Sequence, residues 1–264
     1  MKFTDQLGRT IELNQAPQKL VSLVPSQTEL LFDLGLEEEV IGITKFCVHP
    51  EHWFQNKTRV GGTKTVNIEK IKQLQPDLII ANKEENVKEQ VEELEKHFPV
   101  FVTDVNTLDE AYQMIYQIGR LTQKESRGEE IIKQVNEGFS QLQTTNYKLH
   151  TAYLIWKDPY MTVGGDTFID DMLYYNGFIN VFSSRTRYPE ITIGDIQNAN
   201  CELLLLSSEP YPFKQKHIDE LHEQLPDTKI LLVDGEMFSW YGSRLLKASS
   251  YFNQLHKEIL PQRH

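Results

Sequence analysis

The stretch "NIEKIKQLQPDLIIA" (Asn67 to Ala81) lies without a gap over "TIGDIQNANCELLLL" (Thr192 to Leu206). Ile68 falls on Ile193, Ile71 on Ile196, Asp77 on Glu202, and Leu78-Ile79-Ile80 on Leu203-Leu204-Leu205. Each copy reads as an amphipathic helix, a corner and a buried strand. Further on, "VFVTD" (Val100 to Asp104) is echoed by "LLVDG", with Asp104 matching Asp234; near the start, "TELLFDLG" after an apolar strand corresponds to "TFIDDMLYYNG" after "AYLIW". A repeat that keeps several elements in order calls for two similarly built halves. Strands that alternate with helices call for βαβ units and parallel sheets. The chain's 264 residues are enough for two lobes, each with its own core.

Local signals fill in the rest. "LGRTIEL" reads as a short strand around a turn, followed by a Pro-containing connector and the strand "KLVSLV". Pro25 stops that strand, Ser26 or Thr28 can cap the helix after it, and Gly35 ends the helix. "VIGIT" is the next strand. From Leu108 to about Asn146 the pattern is almost continuously helical, with Ile131, Ile132, Val135, Phe139 and Leu142 on one stripe. Gly119 and Gly128 divide it into a helix that finishes the first lobe and a long one that leaves it. The expected domains are residues 1–120 as an N-terminal α/β lobe, 121–147 as a connecting helix and 148–264 as a C-terminal α/β lobe.

Composition excludes several classes. With 27 basic against 38 acidic residues the net charge is −11, and no Lys/Arg cluster offsets it, so no nucleic-acid partner is expected. Acidic runs such as Glu37 to Glu39 and Glu84 to Lys96 read as solvated helix faces. Cys47 and Cys201 are the two cysteines, too few for a disulfide framework and silent on whether they pair. No apolar run approaches membrane-spanning length, and "MKFTDQLGRTIEL" lacks the apolar core and cleavage site of an export signal. There is no Gly-x-Gly-x-x-Gly, Walker loop, Gly-x-Ser-x-Gly or His-Glu-x-x-His.

Four motifs in order, "GRTIEL", "KLVSLVPSQTELLFDLG", "VGGTKTVNIEKIKQLQPDLIIA" and "SWYGSRLL", resemble the substrate-binding proteins of ABC importers for vitamin B12 and iron-siderophores, closest to the cobalamin-binding type. The resemblance spans nearly the whole chain. It implies the class III (helical-backbone metal receptor) architecture: two Rossmann-like lobes joined by one long rigid helix. It further implies a bulky metal chelate, cobalamin or a related corrinoid, held between the lobes, with delivery to an ABC permease in the inner membrane. A non-enzymatic, periplasmic monomer with no resident cofactor follows from the same resemblance, with a cytoplasmic form as the alternative given the missing export signal.

A flat, amphipathic ligand needs aromatic surfaces and a few orienting polar groups. By motif position the resemblance points to Trp156, Met161, Tyr188, Trp240, Tyr241 and Arg244 after second-lobe strands, and to His49, Thr63 and Lys64 in the first lobe. His49 and Thr63 depart from the aromatic residues expected there. Glu69 sits where the family carries a permease-docking acid. Its second-lobe counterpart is Gly194, leaving Asp195 or Glu190 as substitutes, although a helix turns about 100° per residue. Each aromatic can equally be core.

Two alternatives stay open at this level, and a third reading is set aside. Lys64, Lys157, Arg185, Arg187 and Arg244 keep an anionic iron-siderophore, or haem, in play. A tetrapyrrole metal chelatase-like enzyme would need a histidine and a carboxylate converging, and His49 with Glu84 or Glu85 is the available pair. Cys47, His49 and His52 suggest metal binding, but their spacing is not that of a zinc site and Pro50 interrupts it, so no metal is expected. His97, His150, His217 and His222 read as exposed.

Overall fold

The computed structural model describes residues 1–142 and 148–259. The chain divides into two compact units. The first comprises Met1–Val105, Asp109–Val135 and Tyr241–Leu246; the second comprises Asn106–Leu108, Asn136–Trp240 and Lys247–His264.

In the first unit, strands β1 (Lys2–Thr4) and β2 (Thr10–Glu12) form an antiparallel hairpin. Then follow β3 (Leu20–Ser22), α1 (Pro25–Asp33), β4 (Val40–Ile43), α2 (Glu51–Asn56), β5 (Thr58–Arg59), α3 (Ile68–Leu74), β6 (Leu78–Asn82), α4 (Lys88–Glu95), β7 (Val100–Thr103) and α5 (Leu108–Leu121). The sheet order is β5-β4-β3-β6-β7, all parallel, with Leu20 beside Leu78 and Ile79 beside Val100. Every residue of β3, β6 and β7 is buried, as a parallel sheet covered on both faces requires.

Helix α6 (Glu125–Ser140) passes from the first unit to the second at Val135. The second unit continues with β8 (His150–Leu154), α7 (Phe168–Tyr175), β9 (Ile179–Asn180), α8 (Ile193–Asn198), β10 (Leu203–Ser207), α9 (Gln215–His222), β11 (Lys229–Val233), α10 (Glu236–Ser239) and α11 (Leu245–Ile259). Its sheet runs β9-β8-β10-β11, again all parallel, with Leu203 beside Thr151 and Leu204 beside Ile230. The repeat thus maps β3, β4, β6 and β7 onto β8, β9, β10 and β11. Helices α3 and α8 correspond, each capped by a side chain (Asn67, Thr192) and each burying one isoleucine fully, Ile71 and Ile196.

Three expectations need correction. Helix α1 starts at Pro25 with Val24 as its uncapped N-cap, and the Thr28 hydroxyl turns back to the Val24 carbonyl at 2.8 Å, so neither Ser26 nor Thr28 is the cap. Gly119 and Gly128 do not end helices: the break falls at Thr122 to Lys124, with Gln123 at φ 56°. The two glycines lie against each other where α5 and α6 pack, a Cβ on Gly128 standing 3.3 Å from the Ile115 carbonyl oxygen and 3.7 Å from the Gly119 Cα. Finally, Tyr241–Leu246 packs with the first unit, although it lies within the range 148–264. Residues 143–147 of the expected connecting helix and 260–264 of the expected second lobe lie outside the described residues.

Candidate functional site

In open parallel sheets ligands meet the loops beyond the carboxyl ends of strands, and the singled-out residues cluster on such loops in each unit. In the first unit the loop after β4 is shaped by Cys47. Its thiol is buried, 3.1 Å from the hydroxyls of Thr28 and Thr44, and burial pushes its pKa up. With Cys47 tied inward, Phe46 (50% exposed) and Val48 (39%) turn outward. Phe46 packs over Gly62, where a Cβ would lie 3.2 Å from the ring, and the Lys45 ammonium stands 5.0 Å from the ring centroid. Sequence reasoning passed over both apolar residues. An aromatic three residues beyond the end of β4, in the loop that leads to α2, was the available signal.

His49 is half-buried in this loop. Thr63 is buried, and its carbonyl accepts from Asn86 Nδ2 at 3.1 Å. The Lys64 ammonium donates to the Glu84 carbonyl. The residues of the metal reading are separated by their partners: Cys47 bonds to threonines, whereas His52 lies 3.2 Å from Glu37. No trio of His, Cys, Asp or Glu able to hold a metal occurs among the described residues. Both cysteines are free thiols.

The segment Tyr241–Leu246 contributes Tyr241 and Arg244 to this same unit, and both are buried. Gly242 lies where a Cβ would come within 2.8 Å of the Ser26 carbonyl oxygen. That close approach lets Arg244 Nε donate to Glu29 Oε2 at 2.8 Å. The guanidinium is therefore engaged by a carboxylate of α1, and the expected second-lobe placement of Tyr241 and Arg244 is corrected.

In the second unit the chain doubles back after β8. The Ile155 amide donates to the Met161 carbonyl and the Met161 amide to the Trp156 carbonyl, at 3.0 and 3.1 Å. Met161 also bridges Glu190. This hairpin presents Trp156, 40% exposed, with its ring centroid 5.6 Å from that of Tyr211. Tyr188 lies under the Arg187 guanidinium at 5.6 Å. Trp240 differs: it is 7% exposed, and its Nε1 donates to Glu209 Oε1 at 2.9 Å. Burial raises the pKa of Glu209. This acid escaped sequence reasoning because nothing in "SSEPYP" distinguishes it from a surface glutamate. His217 was expected to be exposed; it is buried between Tyr211 and Phe213, each 5.5 Å away, and desolvation pushes its pKa down.

Of the three docking candidates, Glu69 is largely exposed and lies 3.1 Å from Lys72. Asp195 closes a capping box with Thr192 and pairs with Arg185 at 3.1 Å. Backbone and side-chain hydrogen bonds from Thr192, then Arg185, lower its pKa. Glu190 is exposed.

Comparison with known proteins fits this picture. The model of the periplasmic binding protein family matches residues 20–228. The chain belongs to that family. A vitamin B12-binding protein of Vibrio campbellii is 26% identical over 199 residues, which cover 74% of this chain and 72% of that protein. Two solved structures share the fold. A siderophore-binding protein bound to two acinetobactin molecules and ferric iron has a TM-score of 0.79 at 18% identity, covering 96% of this chain and 97% of that one. A periplasmic heme-binding protein from Roseiflexus sp. RS-1 has a TM-score of 0.77 at 21% identity, covering 90% and 98%. The class III periplasmic binding architecture expected from the motifs is therefore the fold of this chain.

Its relatives are binding proteins, not enzymes, and carry transported ligands instead of a resident cofactor. The chelatase-like alternative falls with that finding. Members of the family work with an ABC permease and are periplasmic proteins or lipoproteins. Among the described residues no helix is long and apolar enough to cross a membrane.

Proposed function

We propose that this protein captures cobalamin or a related corrinoid and delivers it to an ABC permease. The observation that carries this reading is the contrast between its cations and its rings. The five cations that kept an anionic siderophore in play are each engaged within the protein: Lys64 on the Glu84 carbonyl, Lys157 on Glu220, Arg185 on Asp195, Arg187 on Asp166 and Arg244 on Glu29. Phe46, Val48 and Trp156, by contrast, leave apolar surface open, which suits a large macrocycle. The similarity to vitamin B12-binding relatives supports the same choice.

Trp156, Met161 and Tyr188 in the second unit, with Phe46 and His49 in the first, are the contacts this reading assigns, and the buried Thr63 supports its loop. Trp240, Tyr241 and Arg244 act from behind as buried supports, and Lys64 braces its loop. Glu69 is the first unit's docking acid. In the second, Glu190 takes that role, because the carboxylate of Asp195 is already committed to Thr192 and Arg185. The protein acts as a monomer.

Calorimetric titration with cyanocobalamin, a ferric siderophore and hemin tests this. The expected result is saturation near one cyanocobalamin per chain, weakened about tenfold or more by Trp156→Ala, the loss typical of a central aromatic contact. Silence with cyanocobalamin and binding of either other ligand would replace the corrinoid.

A further inference from the structure

In the second unit, Glu209 follows β10 at the end of the loop from Ser207. Its Oε1 accepts from two donors, the Trp240 indole Nε1 at 2.9 Å and the Ser239 hydroxyl at 2.8 Å. The backbone around it is built for this contact. Ser207 Oγ receives the Glu209 amide at 3.3 Å and donates to the Glu209 carbonyl at 2.5 Å. Opposite stands Gly235, where a Cβ would lie 2.4 Å from Ser207 Oγ and 2.6 Å from Glu209 Cγ. Only a residue without a side chain lets the turn into α10 approach so closely. The turn ends at Trp240, the last residue of the second unit before the chain returns to the first.

The charged and titratable groups around Glu209 are Asp234 just after β11, Glu236 on α10 and Tyr153 on β8, with Tyr251 of α11 behind Asp234. The two carboxylates are of like sign. Tyr153 donates to Ser207 Oγ at 3.1 Å, and the Tyr251 hydroxyl accepts from the Asp234 amide at 2.8 Å. The contact is thus an anion held by an indole and a hydroxyl, with acidic neighbours. Charge-assisted hydrogen bonds are roughly twice as strong as neutral ones, so the grip on the ring depends on the charge of Glu209.

We propose that Glu209 is a positioning residue that makes ligand capture pH-sensitive: its ionised carboxylate fixes the Trp240 indole, and protonation loosens the ring. Desolvation, with Glu236 and Asp234 adding to it, raises the pKa of Glu209 against the opposing hydrogen bonds from Ser239 and Trp240. The release therefore falls at a pH above the ordinary glutamate range. The consequence for ligand rests on the corrinoid reading above; the behaviour of the indole does not.

The test uses the full chain labelled with nitrogen-15, following the indole Nε1–H resonances of Trp53, Trp156 and Trp240 from pH 8 to pH 4, with Trp240→Phe to assign the last. Trp53 supplies an internal control, since its Nε1 donates to Glu37, whose pKa is lowered. The Trp240 signal is expected to move at higher pH than the Trp53 signal, and to stay still in Glu209→Gln, which keeps an acceptor at the same place. Asp234→Asn should leave the movement in place.

A Trp240 signal that titrates unchanged in Glu209→Gln, or moves no earlier than that of Trp53, overturns the proposal. In parallel, the cyanocobalamin affinity of the unaltered protein should fall about tenfold on acidification through the Trp240 midpoint, as expected for one charge-assisted bond made neutral, and be flat in Glu209→Gln. An affinity that stays flat while the indole titrates overturns the link to capture. If cyanocobalamin is not bound at any pH, the corrinoid reading fails and the indole titration still decides the role of Glu209.

Discussion

Each unit contains a tryptophan whose indole is held by a glutamate, and the two pairs behave oppositely. In the first, Trp53 donates to Glu37 at 2.8 Å, with His52 and Lys57 alongside and the carboxylate half exposed. In the second, Trp240 donates to the half-buried Glu209, with Asp234 and Glu236 alongside. Desolvation is the largest influence on both acids. For Glu37 it is outweighed by the hydrogen bonds from Trp53 and His52 and the charge of Lys57, and the pKa falls; for Glu209 it prevails, and the pKa rises. The same hydrogen bond has opposite titration because solvent and neighbouring charge set the sign.

A third carboxylate sharpens the contrast. Glu29 is more deeply buried than the half-buried Glu209, and it faces the guanidinium of Arg244. Arg244→Ala leaves that carboxylate inside without its cation, and urea denaturation is expected to show a loss of about 3–5 kcal/mol. Arg244→Lys should recover only part of it, because an ammonium cannot reproduce the guanidinium fork. Full recovery by lysine would mean that charge alone, not geometry, distinguishes the two units at this point.

The next largest effect compares residues related by the repeat. Ile71→Ala and Ile196→Ala each empty a fully buried site under the same helix of each unit, and each is expected to cost about 2–4 kcal/mol. Costs that differ by more than about twofold would show that the matching elements are not equally packed.

Gly235→Ala drives a methyl into Ser207 and Glu209 and should cost about 1–3 kcal/mol. It should also shift the Trp240 indole resonance, which a merely local clash would leave alone.

A smaller effect separates the two acids by pH. Because the folded pKa of Glu209 is raised, its contribution favours folding as pH falls through that value toward the ordinary glutamate range; Glu209→Gln should remove this slope from the denaturation midpoints. Glu37 has the reverse sign. Its contribution is present above the ordinary range and is lost as pH falls through its lowered value, so Glu37→Gln should flatten only the more acidic part of the curve.

The smallest effect is at Gly194, where a Cβ has Thr192 Oγ1 at 3.6 Å as its nearest neighbour. Gly194→Ala should stabilise α8 by roughly 0.5–1 kcal/mol, because helix tolerates alanine better than glycine. A destabilisation there would mean that this turn is held by something other than local helix preference.

Much of the architecture was legible because its signals are local and periodic. The alignment of Asn67–Ala81 with Thr192–Leu206 carried α3, β6, α8 and β10, and the two sheets follow the same order. Other assignments failed where packing decides, whether the partner is near or far along the chain. Gly119 and Gly128 looked like helix ends but serve close packing of α5 on α6. His217 looked like a surface residue until Tyr211 and Phe213 enclosed it. Within the candidate site, Trp156 was found by its position after a strand. Phe46 was missed because its exposure depends on Cys47 reaching back to Thr28.

By itself, the sequence determined the repeating βα plan, the parallel sheets and the kinship to the binding-protein family, since alternation and spacing are properties of neighbouring residues. The tertiary structure alone decided that Tyr241–Leu246 packs with the first unit, that Arg244 is bound to Glu29 and that Trp240 is bound to Glu209. These facts turn on burial and charge contributed by residues far apart along the chain, and a side chain's chemistry is set by that environment as much as by its type.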